Sequence, residues 1–189
     1  VDGFNESQYF NQSWGLPLSS DWYRRNKEFE TINFELNSDW NDNFSTKIMF
    51  ADTDVTNLNT PVGSTSIGEV GIRVPSGGTV FFGPDQYRHA NEIITNRKQF
   101  EVTGYYDVGN HSFTLGYKSI ENDMFNMFSR NSLGEYDYNS VEDFIAGNLR
   151  ELDYRNAASN NPRDAAARFN TDYTIVYFQD TWNISPDLT

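Results

Sequence analysis

The reading of the fold starts from residues 29–51, FETINFELNSDWNDNFSTKIMFA. In an extended chain Ile32, Phe34, Leu36 and Trp40 fall on one side. Thr31, Asn33, Glu35, Asn37 and Asp39 fall on the other. Asn41-Asp42-Asn43 supplies a turn, because Asn and Asp bond their own backbone and tolerate positive φ. The second arm alternates at once, with Phe44, Thr46, Ile48 and Phe50 opposed to Ser45, Lys47, Met49 and Ala51. Strict alternation on both sides of a tight turn predicts a β-hairpin with one apolar and one polar face.

Outward from this hairpin the rhythm repeats. Phe100, Val102, Tyr106 and Val108 oppose Gln99, Glu101, Thr103, Tyr105 and Asp107; Gly109-Asn110 is a turn signal. Phe113, Leu115 and Tyr117 then oppose Ser112, Thr114, Gly116 and Lys118. A fifth strand is predicted near residues 172–182, apolar on both sides, so its faces stay open. Residues 183–187 read as a third turn, with Leu188-Thr189 beginning another strand. In the four clear strands Glu35, Asp39, Lys47, Glu101, Asp107 and Lys118 all take the polar face.

The connections are unequal. Turns near residues 42, 110 and 185 are short, whereas 53–97 and 119–171 read as long polar segments, unusual for a compact soluble domain. Alternating short turns and long loops are expected of outer-membrane barrels. The short-turn end carries Trp40, Phe44 and Trp182, where an interfacial aromatic girdle would sit. In the second long segment Ser140-Val141-Glu142-Asp143 is a capping pattern closed by Gly147, and Asn161-Pro162 opens a further helical turn. Two short helices lying over the sheet are predicted. Gly63, Gly68, Gly71, Gly77 and Gly78 read as flexible loop.

Composition narrows the function. The 189 residues contain no cysteine, which excludes a disulfide scaffold and thiolate chemistry. Fourteen Lys and Arg against 27 Asp and Glu give −13, which argues against a nucleic-acid backbone as partner. Aromatic residues reach 16% of the chain although the mean hydropathy is −0.68, a mixture that suits strands and polar loops. No run of about 18 apolar residues is present, which excludes a transmembrane helix but not a transmembrane strand. The first residues, Val1-Asp2-Gly3-Phe4, show no signal-peptide pattern.

Residues 110–189 are more specific. They contain His111-Ser112-Phe113-Thr114-Leu115-Gly116-Tyr117 and Asn126-Met127-Phe128. Gly134-Glu135-Tyr136-Asp137-Tyr138 and Ser140-Val141-Glu142-Asp143-Phe144-Ile145-Ala146-Gly147 follow. The run ends with Tyr177-Phe178-Gln179-Asp180-Thr181-Trp182 and Asp187-Leu188-Thr189. In this order the series resembles the barrel of TonB-dependent outer-membrane receptors, most of all the Oar-like branch. The resemblance implies an all-β fold, part of a large antiparallel transmembrane β-barrel of about 22 strands with long extracellular loops. It also implies an N-terminal plug, the outer-membrane bilayer as surroundings, and uptake of an unidentified substrate energised through the TonB complex. No plug, TonB box or closing strand is read here. Residues 1–189 are therefore expected to be an interior barrel segment of five or six strands. Two other readings stay open: a secreted soluble β-sandwich binding module, glycan-directed or calcium-dependent, and a surface adhesin acting through its loops.

No catalytic motif is found. His89 and His111 have no metal-ligand spacing, and no G-x-S-x-G sequence occurs. The expectation is no enzyme and no cofactor. Glu101, Tyr105, Asp107, Tyr136 and Tyr138 are the candidates for a substrate-binding lumen or vestibule, set against their reading as ordinary wall and loop residues.

Overall fold

The computed structural model describes residues 3–9, 15–185 and 188–189, residues 3–9 by backbone alone. The strands in chain order are β1 (Gly3–Tyr9), β2 (Gly15–Pro17), β3 (Tyr23–Asn41), β4 (Phe44–Pro61), β5 (Glu69–Arg73) and β6 (Thr79–Phe82). After them come β7 (Asn91–Val108), β8 (His111–Phe128), β9 (Glu135–Tyr138), helix α1 (Val141–Ala146), β10 (Glu151–Asp153) and β11 (Ala167–Trp182). Short 3-10 turns lie at Ser19–Asp21 and Pro162–Ala165. No described helix is long and apolar enough to cross a membrane.

Two sheets result. The larger has six strands in the order β1-β3-β4-β7-β8-β11, each antiparallel to its neighbour. It is the wall. Its two hairpin turns are tied to neighbouring strands at one end: the Asn43 side chain donates to the Asp107 carbonyl at 2.7 Å, and Asn183 N–H donates to the Asn110 carbonyl at 2.8 Å. The smaller sheet, β10-β9-β5-β6-β2, is built from the connections at the opposite end and forms a cap.

Strand pairing settles the faces. Leu36 lies opposite Ile48, Ile48 opposite Val102, Val102 opposite Tyr117, and Tyr117 opposite Val176. The apolar residues of neighbouring strands thus form one continuous band. The open assignment of the last strand closes here: Val176, Phe178 and Trp182 join the band, while Tyr173, Ile175 and Tyr177 share the polar face. Both sides of β11 are aromatic, so alternation alone carried no sign. All six charges named above lie on the face opposite the band. The band is bare: Ile32 is 76% exposed, Leu115 59% and Phe178 66%. No second layer of the described chain covers it, whereas a soluble sandwich requires one.

Five of the wall strands, β3, β4, β7, β8 and β11, run 16 to 19 residues, well beyond the nine to eleven or so that cross a bilayer. The expected loops 53–97 and 119–171 are therefore shorter, about 62–90 and 129–166, because pairing continues where apolar alternation stops. The outward row Asp52, Lys98, Glu121 and Asp172 marks that boundary. The next row, Glu30, Asp54, Asn96, Asp123 and Asn170, continues it. Backbone hydrogen bonds extend a strand irrespective of side-chain polarity, so a hydrophobic signal under-reads it.

Three further expectations change. The stretch containing Gly68 and Gly71 is not a flexible loop but the buried start of the cap sheet. A Cβ at Gly68 would lie 1.8 Å from the Gly134 carbonyl oxygen, so the glycine permits close backbone contact. α1 forms as read, with the Ser140 side chain accepting from Asp143 N–H at 3.0 Å and Gly147 left-handed at φ 72°. The second predicted helix is only a 3-10 turn, because the chain enters β11 at once. α1 packs against the cap, its Phe144 ring 5.7 Å from Phe82, and not against the wall. Pro186 and Asp187 lie outside the described residues. Ser185 and Leu188 form an isolated antiparallel bridge.

Candidate functional site: a charged wall beneath a folded cap

On the polar face of the wall, charges meet across strands. Lys47 pairs with Glu35 at 2.8 Å, and Lys118 pairs with Glu101 at 3.5 Å. Exposed pairs of this kind contribute little to stability, so their main effect is to balance charge along the wall. Beside them Tyr177 lies flat across Gly116, where a Cβ would come within 2.0 Å of the ring. The Tyr177 hydroxyl is 3.1 Å from Thr103 Oγ1, and Thr103 is buried beneath it. A fixed aromatic ring and paired charges make this face a wettable, rigid surface.

The cap holds the described apolar core: Tyr23, Val70, Ile72, Ala90 and Met127 are all at that end. Against this core sits a buried polar network. Glu69 accepts from the Gln86 backbone N–H and from its side-chain amide, both at 2.9 Å. The same amide donates to Glu135 at 2.8 Å, and Arg130 Nε donates to the Gln86 side-chain oxygen at 2.7 Å. Asn131, fully buried, donates to Glu135 at 3.1 Å. β5 and β9 run parallel with Glu69 beside Glu135, and that register brings the two carboxylates onto one amide.

Burial and the neighbouring Glu69 carboxylate push Asp21 up to about 9, and burial raises Glu69 as well. Burial also raises Asp85, although the Tyr87 N–H donates to it at 2.7 Å. His89 is lowered by burial; its ring nitrogens contact the Asp85 carbonyl at 2.9 Å and Ser132 Oγ at 2.8 Å. Among the described residues no three His, Asp or Glu side chains converge so as to hold a metal ion.

The five candidate residues do not form one vestibule. Glu101 is in the middle of the wall and ion-paired. Tyr105 and Asp107 lie near the short-turn end of β7. Tyr136 and Tyr138 belong to β9 in the cap, where the Tyr138 ring packs edge-on against Phe144 at 5.2 Å. Ten strand residues, Asn91 to Phe100, separate Glu101 from the cap end of β7. The cap network was missed because Glu69, Gln86 and Asn131 lie in segments read as loop; nothing in their local spacing marks burial.

The class defined by these features is a wall segment of an outer-membrane β-barrel, with a bare apolar band on one side, a charged wettable face on the other, short turns below and folded loops above. A family model agrees. Residues 3–189 match the family described as outer membrane beta barrel domain, and the chain belongs to it. No curated protein and no solved structure matches the chain. Its place is the outer membrane, with the lipid bilayer against the band.

Proposed function

We propose that this chain is part of a TonB-dependent receptor of the Oar-like branch, taking up a substrate across the outer membrane with energy delivered through TonB. The observation that carries the reading is the ordered series in residues 110–189. Its pieces occupy successive elements: Gly134-Glu135-Tyr136-Asp137-Tyr138 enters β9, Ser140 to Gly147 frames α1, and Tyr177 to Trp182 closes β11. The wall supports it too, since balanced charges and a pinned Tyr177 suit a face that borders a hydrated lumen or plug. The rest of the barrel and the plug are the other partners of this reading. The mechanism is gated passage with no covalent chemistry. The test uses the full-length protein, purified folded in detergent, on immobilised periplasmic C-terminal domain of TonB. Retention above that of an unrelated porin is expected. No retention overturns the transport reading while leaving the outer-membrane location intact.

A further inference from the structure

The apolar band is not smooth. Gly104 faces outward between Thr46 and Leu115 in register. Thr46 is small and its hydroxyl is engaged by the Trp40 indole N–H at 2.9 Å. The missing side chain at Gly104 opens a groove of about 510 Å³, walled by Phe44, Val102, Tyr106, Phe113, Leu115 and Val176. It spans three successive outward rows, beginning at the girdle and running toward mid-membrane.

At the girdle end of the groove is an unusual polar pair. Asp180 shares the outward face of β11 with Phe178 and Trp182, near the short-turn end. His111 Nδ1 lies 2.9 Å and 3.1 Å from the two Asp180 oxygens. The imidazole is stacked between Trp182, at 5.3 Å, and Phe113, at 5.5 Å. Phe113 is also a groove wall, so the His–Asp pair and the groove are continuous. Asp180 keeps about a third of its side chain accessible. An apolar slot that opens onto an accessible carboxylate at the girdle matches a lipid with a tail and a cationic head.

We propose that this is a seat for one glycerophospholipid of the periplasmic leaflet: an acyl chain lies over Gly104, and the primary ammonium of an ethanolamine headgroup meets Asp180. The short turns set the leaflet, since in such barrels they face the periplasm. The occupant follows from continuity with the lipid contact of this face and from charge. A primary ammonium is attracted to the carboxylate, whereas an anionic glycerol headgroup is repelled. His111 orients the carboxylate through Nδ1, and ring stacking fixes the imidazole. The proposal rests on the outer-membrane location of the band and does not depend on the transport reading.

Full-length protein is delipidated, reconstituted with equal phosphatidylethanolamine and phosphatidylglycerol, and examined by native mass spectrometry for retained lipid. Wild type is expected to retain the ethanolamine lipid about fivefold over the glycerol lipid. Gly104→Leu fills the groove and is expected to lose that retained lipid. A Cβ at residue 104 meets nothing nearer than Phe44 at 3.8 Å, so the variant can fold, and heat-modifiable gel migration verifies that it has. Asp180→Asn leaves the groove open and is expected to hold both lipids equally. Equal retention by folded Gly104→Leu and wild type overturns the seat, as does a wild type with no headgroup preference. Asp180→Asn supplies an independent reading of the headgroup contact even if Gly104→Leu assembles poorly.

Discussion

The wall and the cap solve the same problem in opposite ways. Thr103 is one of few buried side chains in the middle of the wall, and both faces of the surrounding sheet remain open. The cap buries Val70, Ile72 and Met127 together with Glu69, Asp85 and Asn131. Lipid completes the wall from outside; the cap completes itself from inside. Apolar exposure therefore reads as a membrane contact in one region, and polar burial reads as a hydrogen-bonded network in the other.

The sharpest break of this contrast is a charge on the lipid side. Leu115→Arg is expected to cost about 2–4 kcal/mol, whereas Thr114→Arg, one residue away on the polar face, leaves assembly nearly unchanged. Denaturant titration of the full-length protein in lipid vesicles measures both; equal losses would erase the distinction between the faces. A smaller effect is expected in the cap. Gln86→Ala removes an amide that serves two carboxylates and an arginine, at about 1–3 kcal/mol. Hydrogen exchange should quicken in segments 62–90 and 129–166 while the wall strands keep their protection.

The third prediction concerns pH. Asp21 is raised in the folded cap by burial and by Glu69, with Asp85 also nearby. The folded state therefore holds a proton that the unfolded chain releases near pH 4. The resulting stability is complete below that value and is lost progressively as pH rises through about 9. Cap protection should fall across this window, and Asp21→Asn, which imitates the protonated acid, should flatten the fall. His89, lowered by burial, works in the other direction and weakens the cap as pH drops below about 6.5. The smallest effect is expected on the polar face: Lys118→Ala should change stability by no more than about 1 kcal/mol, and a larger loss in the same titration would give the ion pair a structural role.

Legibility in the sequence followed the same division. Residues 29–51 carried both strands, the turn and the lipid side, because a half-exposed strand writes its environment into every second residue. Trp40, Phe44 and Trp182 lie at the short-turn end on the apolar face. β4 beyond Ala51 and β8 beyond Lys118 were hidden, since a strand in water on both sides needs no apolar alternation. The cap was less visible still. Its sheet is assembled by pairing distant short strands such as β5 with β9, and nothing within either segment announces the other. Gly68 was misread for that reason: its neighbour Gly134 is 66 positions away. The site candidates were grouped by residue type, and that grouping joined Tyr105 with Tyr136 although they belong to opposite ends of the molecule.

The length of the wall strands has one more consequence. On β3 the outward apolar residues end at Ile32, and paired backbone continues through the nine positions from Thr31 back to Tyr23. At about 3.4 Å per residue and the usual tilt, this raises the cap by roughly 20 Å. The roof of the molecule is thus carried on stilts above the hydrocarbon. Leu152, Tyr154 and Ile145, exposed at 49%, 50% and 78%, belong to the 129–166 segment of that roof.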